Sequence, residues 1–237
     1  MVASGSVKIG ILGGIGPEAT GEFYNKLIFE LQKKGLIKNN SDFPQIIINS
    51  ISAPELIHDK HGDEDLRHYL EGLKELEMHD PDFIVMICNT IHFFYERLQK
   101  EVKTPIIDLR KDVQEHLKNK KVETVIVLGS PISIKGGLYR FENINYVEIS
   151  DDDTEKLSES VYNFNKGFQR DRQIDKVREI SRKYFEKESN SLIILGCTEL
   201  ALMLKDESFP KINPMDILLD SAIRRIAAKK TSKEVKI

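Results

Sequence analysis

Short apolar runs rich in isoleucine and valine recur along the chain, at Val7 to Leu12, Gln45 to Ile51, Phe83 to Ile87, Pro105 to Ile107, Val122 to Leu128 and Leu192 to Leu195. Each is too short for a helix and nearly unbroken by polar residues, the pattern of a strand covered on both faces in a parallel sheet. Longer amphipathic stretches lie between them, such as Glu64 to Met78 and Asp171 to Glu188. This alternation predicts an α/β fold of mainly parallel sheets flanked by helices. With 237 residues the chain has room for one large domain or two lobes of about 100 to 150 residues each.

Two internal likenesses favour the second arrangement. Lys8 to Tyr24 (KIGILGGIGPEATGEFY) and Thr124 to Tyr139 (TVIVLGSPISIKGGLY) both run from an apolar strand through Leu-Gly into a polar loop, then a further glycine and a tyrosine. Phe83 to His92 (FIVMICNTIH) and Ser191 to Leu200 (SLIILGCTEL) hold the only 2 cysteines, each behind an apolar run and just ahead of a threonine. The repeats imply two pseudo-symmetric lobes, one built on strands ending at Gly13 and Cys88, the other on strands ending at Gly129 and Cys197. The crossings are placed near Lys103 and Pro210, giving a first lobe of residues 1–103 plus 211–237 and a second of 104–210. The C-terminal helix from Asn213 is expected to return to the first lobe.

Charge and hydropathy remove several function classes. The net charge of -3 is the small difference between 35 basic and 38 acidic residues, which are scattered rather than blocked, so no electrostatic footprint for nucleic acid exists. No apolar run approaches the roughly 18 residues of a membrane span, and the N-terminal stretch enters a strand without a signal-peptide cleavage pattern. A cytoplasmic location is expected, and in that reducing compartment two lone cysteines are expected as thiols.

Ligands of open α/β sheets bind just beyond the carboxyl ends of the strands. Cys88, Cys197, the Gly13-Gly14 loop and the loop at Ser130 all fall there, so two facing lobes would gather them in one cleft. A cysteine entering a helix N-terminus is expected to have a depressed pKa, from about 8.5 into the ~3.5 to 7.5 range. One such cysteine reads as a small buried hydrophobe. Two in duplicated settings read as a pair of acid/base groups, suited to taking a proton from one face of a carbon and delivering one to the other.

The motifs GILGGIGPEAT, CNTIH, the glycine-serine loop ending GGLY, LGCTEL and INPMDIL occur in that order over nearly the whole chain, which resembles the aspartate/glutamate racemase family. The resemblance implies two α/β lobes, inversion at the α-carbon of an acidic amino acid without pyridoxal phosphate or metal, and Cys88 and Cys197 as the two acid/bases. Glu199 stands where glutamate racemases carry histidine after the second cysteine, so the sequence is similar to the aspartate racemase branch, which includes broader-specificity amino-acid racemases. By the same matching Ser52, Asn89, Thr90, Ser130, Ser133, Lys166, Thr198 and Glu199 fall at substrate-binding positions, and Glu199 is placed for the substrate ammonium or as an orienting group. The family also suggests a homodimer. Three departures leave the substrate side chain open: Leu56 where some members have arginine, Asn165 where the family has lysine (with Lys166 adjacent), and Asn213-Pro214 for Asp-Pro. Isomerisation, decarboxylation and hydantoin racemisation use thiols in the same architecture, and a non-catalytic binding protein would use the same cleft.

Three further patterns carry less. Gly14-Ile15-Gly16-Pro17-Glu18-Ala19 fits the dinucleotide spacing, but the next strand ends Asn49-Ser50 with no carboxylate for a ribose, so a loop for a substrate carboxylate is the better reading. His58, His61, Asp63, Asp65 and His68 lack a recognised zinc spacing and read as solvated surface. Asp151 to Asp153 reads as a helix N-cap with first-turn charges.

Overall fold

In a computed structural model, which describes residues 7–54, 56 and 63–234, the chain begins with β1 (Lys8–Gly13), α1 (Pro17–Lys33), β2 (Gln45–Ser50), α2 (Asp63–Glu77) and β3 (Phe83–Met86). There follow α3 (Tyr95–Glu101), α4 (Leu109–Asn119), β4 (Thr124–Gly129), α5 (Pro131–Ile134), β5 (Asn145–Tyr146) and α6 (Asp151–Asn165). The chain ends through α7 (Arg170–Lys187), β6 (Leu192–Gly196), α8 (Thr198–Met203), β7 (Lys211–Ile212) and α9 (Pro214–Glu234).

Two all-parallel sheets result. The first has the order β2-β1-β3, with Ile9 opposite both Ile46 and Phe83. An isolated parallel bridge from Ile84 to Ile106 adds the beginning of a fourth strand. The second has the order β5-β4-β6-β7, with Val127 opposite Ile194 and Ile193 opposite Lys211. The two lobes therefore share one plan in which the first strand is central and the last pairing closes the far edge.

That shared plan shifts the lobe boundaries from those read in the sequence. Residues 105–107 pair into the first sheet and Lys211–Ile212 into the second, so each crossing comes a few residues later than Lys103 and Pro210. The run read at Pro105 to Ile107 thus marks the edge pairing of the first sheet, whereas the two-residue strands β5 and β7 are held by the neighbours they pair with and leave no apolar run in the sequence. β2 differs as well: it is a sheet edge, and Ile48 is exposed rather than covered on both faces.

Between the sheets, one core joins β1, β3 and β4 through Ile9, Val85 and Val127 to Phe23 and Leu27 of α1, Val113 of α4 and Leu218 and Ile223 of α9. Burying a leucine or phenylalanine fully is worth about 1.5–3 kcal/mol. α9 also reaches the first lobe by ion pairs from Asp216 to Lys26 at 3.0 Å and from Lys229 to Asp82 at 2.6 Å. In the second lobe Ser150, rather than an aspartate, caps α6 by accepting from the Asp153 backbone N–H at 3.2 Å. No helix of the described residues is long and apolar enough to cross a membrane. His58 and His61 lie outside the described residues, and among the described residues no group of three or more His, Cys, Asp or Glu is placed to hold a metal.

Candidate active site

β3 and β6 are the equivalent strands of the two lobes, and each delivers a cysteine just past its carboxyl end. Cys197 follows β6 directly and is the extended N-cap of α8 (φ -140, ψ 141). Cys88 leads into a 3-10 turn, Thr90–Phe94, with Asn89 as its N-cap. Both are free thiols, Cys88 buried and Cys197 half-buried. They line one cavity of about 230 Å³, closed on the first-lobe side by the Gly14 to Pro17 loop, Ala53 and Leu56, and on the other by Ser130, Val161, Asn165, Lys166, Thr198 and Glu199. A larger hollow of about 640 Å³ lies on the outer face of α1 between Tyr24, Phe29, Phe43 and Ile46. It is lined by no thiol, carboxylate, imidazole or cation, and so has no comparable chemistry.

The sheet ends need tight backbone to bring these groups together. Gly16 has φ 86, in the left-handed region that favours glycine, and a Cβ there would stand 2.6 Å from Glu199 Oε1 of the other lobe. Gly14, also at φ 86, is anchored by its N–H donating to Thr20 Oγ1 at 3.1 Å.

Hydroxyl groups continue from the cavity into the protein. Thr90 Oγ1 lies 3.1 Å from Ser130 Oγ, Ser130 Oγ lies 3.2 Å from Ser133 Oγ, and Ser133 donates to the Gly196 carbonyl at 2.9 Å. This chain runs from the turn beyond β3 to the end of β6 and ties the lobes beneath the cysteines. A second tie is the Tyr139 hydroxyl, which donates to Asn89 Oδ1 in the buried interior. Tyr139→Phe leaves that oxygen unpaired and is expected to lower unfolding free energy by about 1–3 kcal/mol, read as a shift of the urea midpoint with an unchanged m-value.

The structure sorts the residues singled out from sequence. Thr90, Ser130, Lys166, Thr198 and Glu199 line the cavity. Asn89 and Ser133 stand behind it as supports, and Ser52 is solvent-exposed and does not line it, though its neighbour Ala53 does. Ile15, Ala53, Val161 and Asn165 line it without having been named as substrate contacts. Asn165 carried a signal, standing where the family has lysine, and Ile15 belongs to the Gly14 to Ala19 loop read as holding a substrate carboxylate. His92 of the CNTIH motif is buried, with its ring 3.3 Å from the Met86 carbonyl. Burial brings its pKa down to about 4, so it is neutral and structural.

The electrostatics overturn the expected depressed thiol pKa values. Burial pushes the Cys88 thiol up to about 12, and the negative charge of Glu199 adds to it; backbone N–H groups of Ile91 and Thr90 act in the opposite sense but are outweighed. Cys197 is raised well above the ordinary thiol value, first by burial, then by the charge of Glu199 and its hydrogen bond with that carboxylate. The turn-end N–H groups are present as anticipated, but desolvation of a thiolate by the groups packed around it costs more than they return.

Glu199 is the hub of the second-lobe wall. Its Oε2 accepts from the Cys197 thiol at 2.7 Å and from the Thr198 hydroxyl at 3.0 Å, while Oε1 accepts from Asn165 Nδ2 at 3.1 Å. It is only 4% exposed.

Comparison with known proteins adds the wider context. The family described as Asp/Glu/Hydantoin racemase matches residues 12–222. The broad specificity amino-acid racemase RacX of Bacillus subtilis is 31% identical over 134 residues, 56% of this chain and 58% of that protein, so the match spans less than two thirds of its length. Among solved structures, an aspartate racemase homologue from Pyrococcus horikoshii OT3 has a TM-score of 0.70 at 28% identity, covering 93% of this chain and 99% of that one. The aspartate racemase of Picrophilus torridus has a TM-score of 0.71 at 22% identity over 94% and 95% of the two chains, a likeness of fold.

Proposed function

The chain belongs to the Asp/Glu/hydantoin racemase family, and from that premise we propose that it is an amino-acid racemase that uses Cys88 and Cys197 as paired acid and base and needs no pyridoxal phosphate. One observation carries this: the only 2 cysteines of the chain come from equivalent strand ends of two lobes and line one cavity. One sulfur, as thiolate, takes the α-proton, and the opposing thiol gives its proton to the other face. The hydroxyls of Thr90 and Ser130 are the donors at hand for the substrate carboxylate as it gains enolate character, that of Thr198 being given to Glu199. The test is proton NMR in D2O, following α-hydrogen exchange of both enantiomers of aspartate, glutamate, leucine and other amino acids. Absence of exchange from every one of them defeats the proposal.

For the side chain, the cavity supports neutral or broad specificity better than strict aspartate specificity. Leu56, 3% exposed, packs in one cluster with Cys88 and Ile91, with Ile15 and Ala53 against it. Among the described residues no arginine lines the cavity, and the carboxylate of Glu199 is already there. A second substrate carboxylate would be desolvated against these apolar groups without a bidentate partner. The name of the Bacillus subtilis relative agrees with this. The aspartate reading keeps one support: Lys166, the single cation among the described lining residues, stands at the exposed rim with its Nζ over the Tyr162 ring, 3.8 Å from the centroid. Leu56→Arg is expected to raise kcat/KM for aspartate relative to leucine by about tenfold or more. An unchanged ratio would show that Leu56 does not border the substrate side chain.

A further inference from the structure

We propose that the substrate's ammonium group, which the family resemblance places at Glu199, releases the Cys197 thiol from that carboxylate, so that amino-acid binding itself readies the proton-transfer pair. This rests on the racemase reading and adds to it a trigger.

The geometry gives Glu199 three donors and no cation. Cys197, Thr198 and Asn165 each donate to it, and among the described residues no lysine, arginine or histidine pairs with it. A carboxylate taken out of water without a cationic partner is costly. Glu199 nevertheless lines the cavity where the substrate would sit, and an α-amino acid brings the missing cation on the atom next to the reacting carbon. Lys166 is the other cation at the cavity, but its Nζ lies over the ring of Tyr162, 3.8 Å from the centroid, and does not pair with Glu199 among the described residues.

The S–H of Cys197 points at Oε2 of Glu199 and, while it does so, is unavailable to a carbon. The groups bearing on this thiol are Glu199 from its own helix, Cys88 from the first lobe, Tyr139 behind the cavity and Lys166 at the end of α6. Of these, Glu199 is the one in hydrogen-bond contact, and its charge disfavours ionisation of both cysteines. On binding, an ammonium N–H replaces the S–H at the carboxylate, and no covalent bond to hydrogen breaks in that exchange. With the charge of Glu199 matched, one thiol loses its proton to bulk water. Turnover then moves one proton from the α-carbon to that thiolate and one from the opposing thiol to the other face, so the pair holds the same number of protons before and after.

Thiol titration and kinetics on the full chain test this. In Cys88→Ala, Cys197 is the sole thiol, and the pH at which its thiolate absorbance appears reports it directly. Adding Glu199→Gln is expected to bring that midpoint down by about one unit or more. With both cysteines present, Glu199→Gln is expected to raise KM about ten- to hundredfold, as for loss of a charge-assisted hydrogen bond, with a smaller change in kcat. An unmoved midpoint, or an unmoved KM, overturns the proposal. If the glutamine variants fail to fold, the native chain decides. α-Methylleucine and α-methylaspartate, which keep the ammonium but lack an α-proton, are expected to draw thiolate absorbance to lower pH, whereas 2,4-dimethylpentanoate and methylsuccinate are not. Equal behaviour within each pair overturns the proposal. Titration needs no turnover, so a failure of the racemase reading, seen as no α-hydrogen exchange by the native chain, is read separately.

Discussion

Replacing either cysteine with alanine is expected to lower the rate of α-carbon inversion by a factor of about 10² to 10⁴, the contribution of one positioned acid or base. Inversion needs a proton taken from one face and another given to the opposite face, and each sulfur reaches the cavity from a different lobe. Neither can stand in for the other. The hydroxyls of Thr90 and Ser130 are poor substitutes, being engaged with each other at 3.1 Å and far weaker bases than a thiolate. Polarimetry with pure enantiomers checks the loss of inversion. Circular dichroism checks that the fold survives, as it should when a small side chain becomes alanine beside Ile91 and Leu56. Full racemase activity in Cys88→Ala or Cys197→Ala would remove the two-thiol mechanism.

The second large effect is on pH. Both thiols of the free protein are held above the ordinary range, Cys88 at about 12 and Cys197 higher than usual for the same reasons. The reactive form needs one thiolate, so below those values its population rises tenfold for each unit of pH. The sign is therefore an increase with pH: kcat/KM, which reports the free enzyme, is expected to climb about a hundredfold from pH 6 to pH 8 with a logarithmic slope near +1. Because kcat reports the bound state, its rise should level off at lower pH if ammonium binding relieves the charge of Glu199. A flat kcat/KM across that window would mean that a thiolate already exists in the free protein, as the depressed pKa expected from the helix-end argument requires.

Much of the scaffold was legible because it is written locally. A parallel strand covered on both faces needs an unbroken apolar run, and Lys8–Gly13, Phe83–Met86, Thr124–Gly129 and Leu192–Gly196 all lie within a residue or two of the runs seen in the sequence. The amphipathic period likewise marked Asp63–Glu77 and Arg170–Lys187. The edge elements were legible only in part: the runs at Gln45 to Ile51 and Pro105 to Ile107 marked two of them, whereas β5 and β7 left no run. β2 looks apolar but is half exposed, and the pairings at Ile106 and Lys211–Ile212 depend on the partner strand. Among the candidate contacts, a loop residue such as Ser52 looks like Thr90 or Thr198 in sequence, because polarity does not say which way a loop turns.

What the amino-acid order determined by itself was the alternating α/β plan, its duplication and the pairing of Cys88 with Cys197, since each follows from residue types at short, regular spacings. What only the tertiary structure decided was the chemical state of those cysteines. A thiol's pKa sums the water excluded by every surrounding element with the field of charges brought near it by folding. Glu199, only two positions from Cys197 in sequence, acts on Cys88 as well because two lobes close on one cavity. The sequence placed both thiols at turns that favour ionisation; the groups packed around them and the carboxylate in the cavity reversed the balance.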